Sequence, residues 1–166
     1  MGLISFIKEA GEKLFGTGEA KAAQDAAAKS PSPENVAKAN DAAAQAIKTY
    51  IGALGLEAEG LAVSFDGTAG TATVSGEAAS QELREKIIVA AGNVAGVSSV
   101  VDNMTVSAPT PESRYYTVVR GDTLSKIAKE MYGNSNKYPV IFEANKPMLS
   151  HPDKIYPGQV LRIPPL

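Results

Sequence analysis

The chain of 166 residues contains no cysteine and no tryptophan, one histidine, and only 6% aromatic residues. Without cysteine there is no disulfide, no thiolate nucleophile and no thiolate metal site, which suits a reducing compartment. The lone His151 sits in the loop Ser150-His-Pro-Asp153 and would need a serine and an aspartate from elsewhere to make a nucleophilic triad. Gly67-Thr-Ala-Gly70 lacks the Gly-Lys-Ser/Thr that completes a phosphate loop. The acid pairs Glu57/Glu59 and Glu82/Glu85 fall where a loop and a helix surface are expected, as solvated charge. No catalytic constellation emerges, so an enzyme is not expected. Long apolar runs are missing too. Leu3 to Ile7 is cut short by Lys8 and Glu9, below the roughly 7–15 apolar residues of a secretory signal, and no transmembrane stretch follows. Phe6 occupies the position that myristoylation requires as Ser or Thr. These absences point to a cytoplasmic protein without integral membrane contact.

The formal net charge of -2 conceals two unlike halves. Residues 1–112 hold 8 Lys+Arg against 14 Asp+Glu, whereas residues 113–166 hold 8 against 4. Opposite signs favour docking of the halves, over a range that salt limits to about 10 Å. The basic half is too small to argue for nucleic-acid binding, and nothing calls for a second copy, so a monomer is expected.

Leu3, Ile7, Ala10 and Leu14 recur at helical spacing and predict an amphipathic helix over 3–15, with Gly11 and Gly16 as stops. An alanine-rich stretch then reads as weak helix or linker. Ser32-Pro33-Glu34 combines an N-cap, a first-turn proline and an acid, and starts a helix whose apolar stripe is Val36, Ala43, Ile47, Tyr50 and Leu54. Leu61–Phe65 and Thr71–Ser75 alternate around an Asp-Gly turn as a hairpin. Ser80 caps a second helix buried through Leu83, Ile87, Ala90 or Ala91, and Val94. Val97–Val101 and Met104–Val106 offer one broken strand or two short ones. The expected fold is therefore α+β in two small domains. Residues 1–33 form an N-terminal helix and linker, 34–107 an αββαβ domain, 108–114 a proline-bearing connector, and 115–166 a βααβ domain. In the last, a strand over 115–119 turns at Gly121 into a helix over 123–131, and a helix over 137–145 leads to a strand over 159–163.

Tyr116-Thr-Val-Val-Arg-Gly-Asp-Thr-Leu-Ser-Lys-Ile-Ala-Lys-Glu-Met-Tyr-Gly133 and Ile155-Tyr-Pro-Gly-Gln-Val-Leu-Arg-Ile-Pro164 resemble the opening and close of a LysM domain. Such domains bind N-acetylglucosamine polymers, and the resemblance implies a groove between Gly121, Asp122, Thr123 and Leu124 on one side and the segment Lys146 to Tyr156, with Pro147 and Tyr156 as contacts, on the other. Residues 34–107 resemble a BON domain through element order and through Gly60, Val74-Ser-Gly76 and Val94-Ala-Gly-Val97. The combination, with MGLISFIKEAGEKLF at the start, is similar to a family of small bacterial potassium-binding proteins. Its main departure is the alanine-rich stretch around 17–33.

That resemblance gives the segment Ile87-Ile-Val-Ala-Ala-Gly-Asn-Val-Ala-Gly-Val97 a meaning. A helix ends in carbonyls without intrahelical partners and with partial negative charge. A large monovalent ion such as K+ suits neutral carbonyls that replace its hydration shell. The backbone oxygens of Ile7, Ala10 and Gly11 and of Ala90, Gly92, Val94 and Val97 are the expected K+ donors, with Gly92, Asn93 and Gly96 freeing the backbone. Ordinary helix capping would use the same residues. A potassium sensor or buffer is one expectation; an envelope adaptor binding peptidoglycan glycan or membrane is the alternative.

Overall fold

The computed structural model describes residues 25, 26 and 28–166, together with the backbone of residues 2–5. Helix α1 (Pro33–Ala53) begins where Ser32, extended at φ -144°, accepts the Asn35 N–H on its hydroxyl at 3.1 Å and Pro33 fixes the first helical torsion. Its buried positions are Ala43, Ala44, Ile47 and Ile51, with Tyr50 and Leu54 packed at the margin and Val36 left 40% exposed. Strands β2 (Glu59–Asp66) and β3 (Thr71–Ala78) form the antiparallel hairpin. Ser80 then caps α2 (Gln81–Gly92), and β4 (Ser99–Val106) returns parallel to β3, from Thr71 opposite Ser99 to Ala78 opposite Val106. Parallel neighbours need a long crossover, and α2 is that crossover.

Two expectations change at the sheet. Met104–Val106 joins the preceding residues in one continuous β4, because Asp102, the polar interruption, satisfies itself: its carboxylate accepts the Met104 amide at 2.9 Å and the Arg84 Nε at 3.0 Å. The expected helix over 3–15 starts instead as strand β1 (Gly2–Ser5), antiparallel to β4 with Gly2 opposite Asp102 and Ser5 opposite Ser99. The outer edge of β4 presents a row of peptide groups, and pairing them outweighs a helical period in four residues. The rest of that helix and the linker to residue 24 lie outside the described residues. The sheet order is β1-β4-β3-β2.

The C-terminal half runs β5 (Arg114–Thr117), α3 (Leu124–Tyr132), a 3-10 turn (Ser135–Lys137), α4 (Tyr138–Ala144) and β6 (Val160–Ile163), with β5 and β6 antiparallel. Thr123 caps α3 by accepting the Lys126 N–H at 3.2 Å, and Gly133, at φ +74°, ends it in the left-handed conformation that lacks a Cβ penalty. Leu124, Ile127, Ile141, Leu149, Leu161 and Ile163 build its core. The larger core of Ile47, Ile51, Ile87, Ile88, Val94 and Val100 does not stop at the connector: Val160 belongs to it, and Tyr115 and Met148 pack against it. Ile47 sits at the centre of this cluster with no exposed surface. Ile47→Ala should destabilise the protein by about 2–5 kcal/mol in urea unfolding, from lost burial and the cavity left behind.

Candidate functional site: the end of α2 and the domain junction

Helix α2 closes with Asn93 donating to the Val89 carbonyl at 3.0 Å, Val94 donating to Ala91 at 3.4 Å, and Val97 donating to Val94 at 3.1 Å. Capping thus uses one of the carbonyls expected to face an ion, that of Val94. Val94 keeps a second lone pair. No amide of residues 93–97 bonds the Ala90 carbonyl. Ala90, Ala91, Val94 and Val97 have no exposed surface, so the segment is dry, and a dipole there acts in a low dielectric. Beyond it, the Gly70 carbonyl accepts the amides of Ser98 at 2.7 Å and Ser99 at 3.3 Å, tying the turn to the β2–β3 hairpin. Gly96 adopts φ +99°, and this is the torsion that requires glycine; Gly92 lies in the last turn of α2 with ordinary helical backbone, so the expectation that it frees the chain is corrected. The other three expected donors, Ile7, Ala10 and Gly11, lie outside the described residues.

Helix α2 is buried on both sides, by β3 and β4 on one and by β6 on the other. This overturns the reading of Glu85 as solvated surface charge: it is 3% exposed. Its carboxylate accepts from Arg162 Nη2 at 2.8 Å, from the Ser113 hydroxyl at 2.8 Å and from the Ser113 amide at 2.8 Å. Arg162 also donates to the Ala144 carbonyl at 2.7 Å. Burial alone would raise the Glu85 pKa, but the guanidinium and the Ser113 donors outweigh it and hold the carboxyl below its ordinary range. Glu82, one turn back, is held low by Lys86 at 2.7 Å. Ser113, expected within an extended connector, is thereby part of the junction.

Asn93 adds a second junction contact. Its Nδ2 donates to the Val160 carbonyl at 2.9 Å and its Oδ1 accepts the Val160 amide at 2.9 Å. Asn145 does the same to Arg162 two residues on, at 3.0 and 2.8 Å. The polarity difference between the halves hinted at docking, but no local pattern marks Glu85, Asn93 or Arg162 as the residues that achieve it.

In the C-terminal half, Asp122 is committed to the turn: its carboxylate accepts the Tyr116 hydroxyl at 2.8 Å and the Val119 amide at 2.9 Å. Burial first, and this bond second, push the Tyr116 pKa up to about 12. A cleft of about 430 Å³ is lined by Thr123, Leu124, Ser125, Tyr138, His151, Pro152 and Asp153. From the expected loop Thr123 and Leu124 line it, and from the expected facing segment His151, Pro152 and Asp153; Gly121, Asp122, Pro147 and Tyr156 do not. Pro147 is exposed after a cis peptide bond, and the Tyr156 backbone is engaged with Gln159.

Because the folded pKa of Glu85 is lowered, its contribution is present above the pKa of a free glutamate, about 4.3, and is lost as pH falls through the lower folded value. Dyes on cysteines introduced at the exposed positions Glu57 and Lys129 should show the halves separating over that acidic window. In Glu85→Gln the response should flatten, and docking at neutral pH should weaken by about 3–5 kcal/mol because Arg162 is left buried without its counter-charge, a difference from wild type that closes as acid protonates Glu85.

The BON domain family matches residues 39–108 and the LysM domain family residues 116–164. A protein of Escherichia coli O6:H1 named potassium binding protein Kbp is 46% identical over 164 residues, covering 99% of both chains. Shorter likenesses reach an uncharacterised protein of Deinococcus radiodurans, 53% identical over 49 residues that span 30% of this chain and 19% of that one. They also reach an esterase of Mycobacterium tuberculosis, 45% identical over 53 residues that span 32% of this chain and 11% of that one. The chain belongs to the two-domain BON–LysM family that includes the Escherichia coli protein.

Proposed function

We propose that this protein binds one potassium ion through main-chain carbonyls, those of Ala90, Gly92, Val94 and Val97 at the end of α2 together with those of Ile7, Ala10 and Gly11, and becomes more compact on doing so. The observation that carries this reading is the buried, carboxylate-free end of α2, in a chain that matches a protein named for potassium binding over nearly its whole length. The β1–β4 register supports the pairing of the two segments. Ser5 lies opposite Ser99, two residues from Val97. Successive Cα atoms are about 3.8 Å apart, so Ile7 is tethered within roughly 7.6 Å of Ser5. Neutral carbonyls match a weakly hydrated monovalent ion better than a divalent one, which would draw carboxylates. Among the described residues no cluster of His, Cys, Asp or Glu is positioned to hold a metal.

In this reading the protein is a non-catalytic, monomeric cytoplasmic sensor or buffer. Among the described residues no helix is long and apolar enough to cross a membrane. A glycan reading is favoured by one feature, the cleft beside Thr123 and Leu124 with Tyr138 on its wall. Retention on insoluble chitin or peptidoglycan would speak for it, and cell fractionation would assign the compartment.

Calorimetric titration with potassium chloride should give saturable heat, and sodium chloride at equal ionic strength should not. Scattering should report a smaller radius of gyration with potassium. Gly96→Val should weaken binding about 5- to 150-fold, because a β-branched residue at positive φ costs about 1–3 kcal/mol. Equal heats for both salts would overturn the reading.

A further inference from the structure

Asn93 occupies two roles at once. It is the C-cap of α2, between Gly92 and Val94, and its own amide donates to the Val89 carbonyl. The residue is 7% exposed, and its side chain bonds both the N–H and the C=O of Val160, 67 residues away, at 2.9 Å each. A primary amide bonded this way reproduces one peptide unit of a neighbouring strand. Any rotation of the Gly92–Val94 peptides therefore swings the Asn93 side chain off β6, and any departure of β6 frees the backbone of the ion-binding segment. The Glu85–Arg162 pair also joins the halves, but it grips α2 two turns earlier, at a rigid interior position where the carbonyls are spent within the helix.

We propose that Asn93 is the residue that couples potassium binding at the end of α2 to docking of the LysM domain, a coupling that rests on the ion-binding reading above. Coupling is reciprocal. Potassium strengthens the Asn93–Val160 clip, and the clip in turn raises potassium affinity by holding the carbonyls in their binding arrangement. Asn93 is a positioning residue; it supplies no ion ligand through its side chain.

The test compares wild type with Asn93→Ala in potassium and in sodium chloride, with Glu85→Gln as the second junction variant. Two buried hydrogen bonds, each worth about 1 kcal/mol net, set the expected loss of potassium affinity in Asn93→Ala at about 10- to 30-fold. A purely structural bond would lower the melting temperature equally in both salts, whereas coupling shrinks the gain that potassium gives. In wild type, hydrogen exchange at the Val160 amide should slow when potassium replaces sodium, a measurement that needs no variant to fold. Wild-type affinity in Asn93→Ala, or exchange at Val160 indifferent to potassium while wild type binds the ion, overturns the coupling and leaves ion binding standing. Glu85→Gln, which loosens β6 and so opens the clip, should lose affinity too, and Asn93→Ala added to it should cost little more; a full further loss in the double variant overturns the coupling, since Asn93 would then act on the ion without docking. Wild type without saturable potassium heat overturns the ion reading and the coupling together.

Discussion

Among the described residues strand β6 has one strand neighbour, and it has two edges. Its inner edge pairs with β5, but the peptide groups of Val160 and Arg162 point the other way, into a region where both residues are almost fully buried. Buried N–H and C=O groups must find partners or cost on the order of a hydrogen bond each. Two asparagine side chains meet that demand, Asn145 from within the domain and Asn93 from the other one. The smaller sheet is thus completed by a side chain of the larger domain, and much else depends on this. It fixes which face of the LysM domain meets α2, seats Val160 in the core of the BON domain, and brings Arg162 over Glu85.

The Glu85–Arg162 pair contributes differently. Removing two charges from water offsets most of their attraction, so such a pair is weak evidence of net stability. What it does is make other arrangements costly. A LysM domain docked in another register would bury Glu85 or Arg162 without a partner, and the Ser113 donors add a geometric condition that the connector itself must meet. Asparagine amides specify the seam by shape and hydrogen-bond pattern; the ion pair excludes its competitors. The apolar contact of Val160, Tyr115 and Met148 supplies the area that both devices orient.

What could be read from the residues was whatever local chemistry decides. Ser32, Ser80 and Thr123 each precede a helix and each accepts the amide three residues on, because an N-cap solves a problem internal to its own first turn. The hairpin around Asp66-Gly67 and the motif residues of the LysM half are legible on the same grounds. Strand β1 was not, since Gly2–Ser5 is helical by period and becomes extended only because the β4 edge lies open beside it. Glu85 looked solvated because a helix wheel shows one buried face, and α2 has two. In the proposed site, the end of α2 was visible as a run of small apolar residues closed by glycines. Its torsional requirement fell at Gly96 and not Gly92, a distinction that depends on where the last helical turn closes.

A carbonyl site for a monovalent ion has a difficulty that a carboxylate site avoids. Each oxygen is neutral and each attracts the ion weakly, so affinity rests on having several held at the right separation before the ion arrives. Peptide groups at a helix end are free to tilt unless something outside the helix fixes them. Here the turn is held at its far end by the Gly70 carbonyl and in its middle by the Asn93 clip to Val160. The first of these anchors is internal to the BON domain and present whenever it is folded. The second exists only while the LysM domain is docked. Under the proposed function, a restraint supplied by a docked domain ties affinity to compactness, and a chemically plain helix end would gain the two-state behaviour that a sensor needs.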